Sequence, residues 1–250
     1  EMCIRDRRES GRFMAEGVRL MEEALRHKFL PEKVYCCPAV LTSRGEKMIG
    51  TLRGRGVDCA DVSARQLQAI AGTETSQGAI GIFVRPETDL VKLYCGKYRK
   101  ILWCENISDP GNLGTLIRSA LAFRFDLAVL SGSCADGFSP KVVRSSAGAV
   151  FGLPLAKAAS KEVIELAKKN DFAVVATAVA GRKFDNSLKK RFERNKLILV
   201  IGSEADGLSD EIIEKAAVTV SIGHSRKVES LNAAVAGAIL MNAFYTHRED

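Results

Sequence analysis

The sequence predicts an α/β protein with a small N-terminal unit followed by a larger C-terminal unit built on a mostly parallel sheet. From Lys100 onwards short apolar segments alternate with segments of helical periodicity, the pattern of a parallel sheet covered by helices on both faces. The stretch RPETDL (85–90) places a proline among polar residues, which interrupts both periodicities and predicts a linker. With 250 residues, 46% of them hydrophobic, the chain is long enough to form two hydrophobic cores.

The predicted N-terminal unit covers residues 8–90. Met14, Val18, Met21 and Leu25 recur at helical spacing and predict an opening helix. The next predicted elements are the strand KVYCC (33–37), a helix from Glu46 to Leu52, a helix over ARQLQAIAG (64–72) that ends at Gly72, and the strand GAIGIFV (78–84). The first seven residues, EMCIRDR, have no periodicity and resemble a translated library adapter, so we expect a non-native leader there.

The predicted C-terminal unit covers residues 98–250. Its predicted strands are KILWC (100–104), DLAVLS (126–131), FAVVATAV (172–179), KLILVIGS (196–203) and AVTVSI (217–222). Ligands of open parallel sheets bind beyond the carboxyl ends of the strands, so the loops that follow these strands are the candidate binding loops.

Charge and cysteine content limit the class of protein further. The formal net charge of +7 favours polyanionic partners, and residues 96–250 carry 22 basic against 17 acidic side chains. The seven cysteines show no C-x-x-C spacing, which predicts reduced thiols in a cytoplasmic protein rather than disulfides or a metal site. The longest apolar run, Leu231 to Phe244, is shorter than the roughly 20 residues of a membrane span, so we expect no membrane association.

The first candidate loop, ISDPGNLGTLIRSALAF (107–123), follows the strand KILWC. Asn112 is suited to cap the helix that begins there, and Arg118 lies about 140° around the helix from Leu113, off its apolar stripe. These two side chains are accounted for either by a helix cap and a solvated cation or by a ligand site.

Two further loops follow apolar strands in the same way. In GSEADGLSDE (202–211), Ser209 suits a helix start, whereas Glu204 has no role in that start. In SIGHSRKVESLNAAVAGAIL (221–240), Ser230 is expected to cap a helix that runs to about His247 and is buried against the sheet or a second subunit. If the sheet is parallel, all three loops converge on one crevice.

These three segments resemble the three ordered motifs of the SpoU (TrmH-like) RNA ribose methyltransferases of the SPOUT superfamily. The segment SPKVVRSSAGAVFGLPL (139–155) resembles the family's stretch between the first two motifs, and RFMAEGVRLMEEAL (12–25) resembles the start of its appended L30e-like substrate-binding domain. The resemblance implies a deep trefoil knot in the C-terminal domain, S-adenosylmethionine as methyl donor without a metal, and a homodimer. It also implies RNA as the substrate, with ribosomal RNA favoured over transfer RNA.

The resemblance assigns roles by motif position. Five residues fall on the family's catalytic positions, namely Asn112, Arg118, Glu204, Ser230 and Asn232. Three fall on cofactor-binding positions, namely Gly202, Ile222 and Leu231. The third motif departs from the family pattern, because Gly223 and His224 stand where Pro and Met are common and Arg226 stands where Gly is common. The geometry of the cofactor loop is therefore expected to differ from the family's.

Three other functions are compatible with parts of this pattern. The same chemistry could act on transfer RNA, or the chain could be a non-catalytic RNA-binding member of the fold, although the joint presence of the five motif residues argues against the latter. A nicotinamide-dependent oxidoreductase is disfavoured because GNLG (111–114) lacks the G-x-G-x-x-G spacing. The run KKRFERNK (189–196) is interpreted as a solvated charged loop rather than an RNA-binding surface.

Overall fold

The computed structural model of the chain describes residues 11–71, 77–94, 96–192, 196–225 and 227–245. In chain order the strands and helices are β1 (Arg12–Glu16), α1 (Val18–Arg26), β2 (Lys33–Cys36), α2 (Ser43–Gly54), β3 (Asp58–Asp61), α3 (Ala64–Ile70), β4 (Ala79–Val84), α4 (Leu90–Leu93), β5 (Lys100–Glu105), α5 (Pro110–Ala122), β6 (Leu127–Ser131), α6 (Pro140–Ser145), β7 (Leu155–Lys157), α7 (Ser160–Lys169), β8 (Phe172–Lys183), α8 (Asn186–Phe192), β9 (Lys196–Ile201), α9 (Asp210–Lys215), β10 (Val218–Ser221) and α10 (Ala233–Ala243). The expected leader (1–7), Gly72, Arg226 and His247 lie outside the described residues.

The chain forms two compact units. The first contains the residues up to Pro86 together with the later segment Phe138–Gly152, and the second contains Glu87–Gly137 and the residues from Leu153 onwards. Among the described helices, none is both long and apolar enough to cross a membrane.

The first unit is built on a four-stranded sheet in the order β1-β4-β2-β3. Strands β1 and β2 run antiparallel to β4, whereas β3 runs parallel to β2. The prediction that Met14 begins a helix is wrong, because Met14 lies in β1 opposite Ile82 of β4 and the helix starts only at Val18. Pairing with β4 gives this segment backbone hydrogen bonds and buries Phe13, Met14 and Ala15, which outweighs the helical spacing.

Five phenylalanine rings form an aromatic cluster in the core of the first unit. Its members are Phe13, Phe29, Phe83, Phe138 and Phe151, whose ring centroids lie 4.9 to 6.0 Å apart in seven pairs. Phe138 and Phe151 come from the two ends of the segment Phe138–Gly152. This segment is therefore anchored to the first unit by aromatic packing.

The second unit contains a six-stranded sheet in the order β10-β8-β9-β5-β6-β7. All neighbouring strands are parallel, which confirms the predicted parallel sheet. The central strands β5, β6 and β9 are buried along nearly their whole length, which explains why they appear as continuous apolar runs in the sequence. Because the strands are parallel, the loops after β5, β9 and β10 leave the sheet at the same edge.

Candidate active site

The three candidate loops meet at the carboxylate of Glu204. Its Oε1 atom accepts hydrogen bonds from the side-chain amides of Asn112, at 2.9 Å, and of Asn232, at 2.6 Å. The amide of Asn232 also donates to Asn112 Oδ1 at 2.9 Å. The residues are 92 and 28 positions from Glu204 in the sequence, so the predicted convergence of the loops is found in the structure.

In the first loop a residue other than Asn112 caps the helix, and this leaves the Asn112 side chain available for a different contact. The prediction that Asn112 caps α5 is wrong, because Asp109 is the N-cap and accepts a hydrogen bond from the Asn112 backbone N–H at 2.7 Å. Pro110 occupies the first turn, where its missing N–H costs no helical hydrogen bond. The Asn112 amide therefore remains available to bond Glu204.

In the third loop, by contrast, the residue that caps helix α10 also belongs to the Glu204 network. The prediction that Ser230 caps this helix is wrong, because the helix starts at Ala233 and Asn232 is its N-cap. Asn232 Oδ1 accepts from the backbone N–H groups of Ala234, at 3.0 Å, and Val235, at 3.2 Å, while its Nδ2 serves the Glu204 network. One side chain thus both starts the helix and orients the carboxylate.

A backbone donor that the sequence did not indicate completes the network. The N–H of Ala233 donates to Glu204 Oε1 at 3.1 Å, so the carboxylate lies at the first turn of α10. A carboxylate at a helix N-terminus is favoured both by the free N–H groups and by the helix dipole. The position of Glu204 is consequently fixed by two side-chain amides and one main-chain amide.

The second loop is folded tightly beneath Glu204. A Cβ atom on Gly202 would lie 2.5 Å from the carbonyl oxygen of Gly207, so only glycine permits this approach. Gly207 N–H donates to the carbonyl of Ser203 at 3.1 Å, and the Asp206 N–H donates to Ser203 Oγ at 3.0 Å. Gly202 is therefore required for the loop that presents Glu204.

A cavity of about 330 Å³ lies beside this network in the second unit. It is lined by Thr177 to Val179 of β8, which lie just beyond the residues that pair with β9, and by Ile201 to Gly207, Val220 to Ile222, His224, Ser230, Leu231 and three residues of α10, namely Ala233, Ala236 and Leu240. Gly202, Ile222 and Leu231, which the family resemblance placed at cofactor-binding positions, all line it, as do Glu204 and Ser230. The contribution of Thr177 to Val179 was missed, although residues beyond the paired part of a strand could have been expected at this edge of a parallel sheet.

Arg118 and Ser230 are not part of the hydrogen-bond network. Arg118 is exposed on α5, six residues beyond Asn112, and neither it nor Ser230 bonds another side chain within the described ranges. Six residues of α-helix correspond to about 9 Å along the axis. The guanidinium of Arg118 therefore has no ion-pair partner among the described residues and is accessible to a bound ligand.

Two thiols lie under the first loop and are held in the protonated form. Burial raises the pKa of Cys104 well above its ordinary value, and burial also raises the pKa of Cys134. Cys134 Sγ accepts from the N–H of Ile107 at 3.2 Å and lies 3.2 Å from the carbonyl of Cys104, so it supports the loop. At neutral pH neither sulfur is a thiolate nucleophile. Within the described residues no cluster of three or more His, Cys, Asp or Glu side chains could hold a metal ion.

Comparison with known proteins gives consistent matches to one family. The family model described as "SpoU rRNA Methylase family" matches residues 99–242, and that of the "MRM3-like substrate binding domain" matches residues 4–81. A 23S rRNA (guanosine(2553)-2′-O)-methyltransferase of Bacillus subtilis is 29% identical over 95% of this chain and 90% of its own length. The human mitochondrial rRNA methyltransferase 3 is 32% identical over 60% of this chain and 36% of its own length.

Solved structures agree with these matches. The SpoU methyltransferase AviRb from Streptomyces viridochromogenes, crystallised with the cofactor S-adenosylmethionine, superposes with a TM-score of 0.82. The superposition covers 97% of this chain and 92% of that one, with 26% sequence identity.

Proposed function

The chain belongs to the SpoU rRNA methylase family, and from this premise we propose that it methylates the 2′-hydroxyl of a ribose in ribosomal RNA with S-adenosylmethionine as donor. The observation that carries the proposal is the Glu204 network, which joins the three motif loops beside a cavity. The 2′-hydroxyl distinguishes RNA from DNA and both donates and accepts hydrogen bonds, so it suits a site lined by amides and a carboxylate.

The cavity fits the adenosyl part of the cofactor. Its walls include the apolar side chains of Val179, Ile201, Ile222 and Leu231, and the Gly202 backbone enters the wall without a side chain. Apolar walls with backbone donors and acceptors at their edge suit a flat heterocycle. When bound, S-adenosylmethionine supplies a methyl carbon activated by a sulfonium. We propose that Gly202, Ile222 and Leu231 hold the cofactor.

The catalytic residues act by positioning and by electrostatics. Asn112 and Ser230 orient the ribose toward the methyl carbon, and Glu204 and Asn232 hold the Asn112 amide in place for this task. Arg118 stabilises the negative charge that develops on the ribose oxygen or clamps the adjoining phosphate. A guanidinium keeps its proton in proteins and is therefore a poor general base, which favours the electrostatic role.

We further propose features of the whole protein that follow from its family. Residues 8–90 are an L30e-like substrate-binding domain, and residues 98–250 are the SPOUT methyltransferase domain with a trefoil knot. The chain acts as a homodimer, and Val235 and Ile239, exposed four residues apart on α10, supply an apolar face for the contact. Free thiols at five described cysteines support a cytoplasmic location, Cys36 and Cys37 among them.

The reaction is tested with purified protein, S-adenosylmethionine labelled in its methyl group, and in vitro transcribed 23S ribosomal RNA or transfer RNA. We expect calorimetry to give a binding heat for the cofactor. Label is expected in the ribosomal RNA, and digestion followed by mass spectrometry should find a 2′-O-methylated nucleoside. Label in the transfer RNA alone would favour the alternative substrate, and RNA binding without transfer would indicate a non-catalytic member of the fold.

The neighbouring residues Asp109 and Asn112 allow stability and activity to be separated. Asp109→Ala removes the N-cap of α5 and is expected to lower the free energy of unfolding by about 1 kcal/mol. Asn112→Ala keeps the cap but removes one donor to Glu204, so we expect near-normal stability and roughly 10- to 100-fold slower methyl transfer. Urea denaturation and single-turnover rates measure the two effects. An Asn112→Ala protein with full activity would exclude Asn112 from the site.

A further inference from the structure

The third loop contains a space that a lysine from another strand fills. A Cβ atom on Gly223 would lie 2.3 Å from Cε and 3.0 Å from Nζ of Lys183, so the lysine tip occupies the place of the missing side chain. Gly223 is one of the positions where the loop departs from the family pattern. The glycine that departs from the family pattern is therefore the residue that leaves room for the Lys183 side chain.

The backbone holds Lys183 against this loop. Lys183 is the last residue of β8 and pairs with Ser221, the last residue of β10. The N–H of Phe184 donates to the carbonyl of Ser221 at 2.8 Å, and Ser221 Oγ donates to the carbonyl of Gly181 at 2.8 Å. These bonds on either side of Lys183 fix the base of its side chain opposite the start of the loop.

The ammonium of Lys183 is a cation without an acidic partner among the described residues. The adjacent Arg182 is already engaged, because its guanidinium donates to Asp185 at 3.3 Å and to Ser187 at 2.9 Å. Lys183 is exposed and does not line the cavity, whereas Ile222 and His224, on either side of Gly223, do. The cation thus lies against a loop that forms part of the cavity wall but does not itself line the cavity.

We propose that Lys183 is a substrate-binding residue that contacts one backbone phosphate of the RNA beside the target nucleotide, from the space left by Gly223. The inference rests on the proposed function, because it assigns a contact of the same site. An exposed, unpaired lysine suits a phosphate, which it neutralises as a point charge with release of a counterion. The carboxylate of the cofactor is the alternative anion that Lys183 could bind, but Lys183 does not line the cavity that we assign to the cofactor.

The test uses Lys183→Met, Gly223→Ala, the double variant and the control Lys168→Met, which removes an exposed cation from α7. Affinity for in vitro transcribed 23S ribosomal RNA is measured at several salt concentrations. For Lys183→Met we expect the slope of log affinity against log salt to fall by about 0.7 to 0.9, the value for one phosphate contact. Affinity at fixed salt should fall roughly two- to fivefold, as for an exposed ion pair. The control should keep the wild-type slope.

Gly223→Ala tests the space itself, because a methyl group there forces the flexible lysine tip to move. We expect it to lower the slope as Lys183→Met does, and the double variant to resemble either single one, since both remove the same contact. An unchanged slope, additive effects in the double variant, or weaker S-adenosylmethionine binding of Lys183→Met in calorimetry would overturn the proposal. Failure of the wild-type protein to transfer methyl groups would instead contradict the proposed function, since the salt slope is read without catalysis.

Discussion

Arg118→Ala is expected to slow methyl transfer roughly 100- to 1,000-fold, the usual effect of removing one group that stabilises charge in a transition state. Arg118 is exposed, lies off the apolar face of α5 and bonds no other side chain in the described part of the chain. Its removal should therefore change the free energy of unfolding little, because surface substitutions away from caps and networks usually have small effects. A large loss of activity without a loss of stability would identify a functional rather than a structural residue.

Arg118→Lys distinguishes the ways in which this residue could act. Lysine keeps the positive charge but loses the planar fork that binds a phosphate or an oxyanion through two hydrogen bonds. We expect the lysine variant to remain far below wild-type activity, and full activity would contradict the bidentate contact. Single-turnover rates at saturating RNA isolate this effect, and calorimetry should show unchanged cofactor binding. Arg144→Ala, which removes an exposed arginine from α6, is the matched control and should retain the rate.

Much of the second unit could be predicted because its strands are buried on both faces. Runs such as KILWC and KLILVIGS leave no period-two alternation, and all of them became parallel strands. Parallel strands in turn bring their carboxyl ends to one edge, so the meeting of Asn112, Glu204 and Asn232 follows from the direction of the strands. The site was therefore predictable to the extent that it depends on strand direction.

The local errors have a different origin. Asp and Asn cap helices about equally well, so a sequence with Asp109 and Asn112 three residues apart does not reveal which one accepts the hydrogen bond. Ser230 and Asn232 are both good capping residues, so the sequence does not show which of them caps α10. Strand β1 was missed because its partner β4 lies about 70 residues away, and its pairing outweighs a weak helical spacing. Such choices depend on tertiary contacts that periodicity does not contain.

The segment Phe138–Gly152 shows this limit most clearly. In the chain it lies between β6 and β7, both strands of the second unit, yet it packs with the first unit. Phe138 and Phe151 are buried, at 4% and 6% exposure, and no turn or change of composition marks them as partners of distant rings. The aromatic cluster therefore joins parts of the sequence that no local pattern connects.

Phe151→Ala is expected to lower the free energy of unfolding of the first unit by about 3 to 5 kcal/mol, the range for a buried phenylalanine truncated to alanine. The ring of Phe151 lies 4.9 Å from that of Phe83, 5.5 Å from Phe29 and 5.9 Å from Phe13, so its loss leaves a cavity at the centre of the cluster. Phe151→Leu keeps most of the volume and is the matched control, with an expected loss below about 1.5 kcal/mol.

Two optical probes can assign this destabilisation to one unit. The single tryptophan, Trp103, lies in β5 of the second unit, so its fluorescence follows that unit, whereas far-ultraviolet circular dichroism follows both. In urea we expect Phe151→Ala to move part of the dichroism transition to lower concentration and to move the fluorescence transition less, since probes of separate units need not coincide. Equal shifts of both transitions would show that the two units unfold as one. A dichroism transition identical to that of the wild type would mean that Phe138–Gly152 contributes nothing to the first unit's stability.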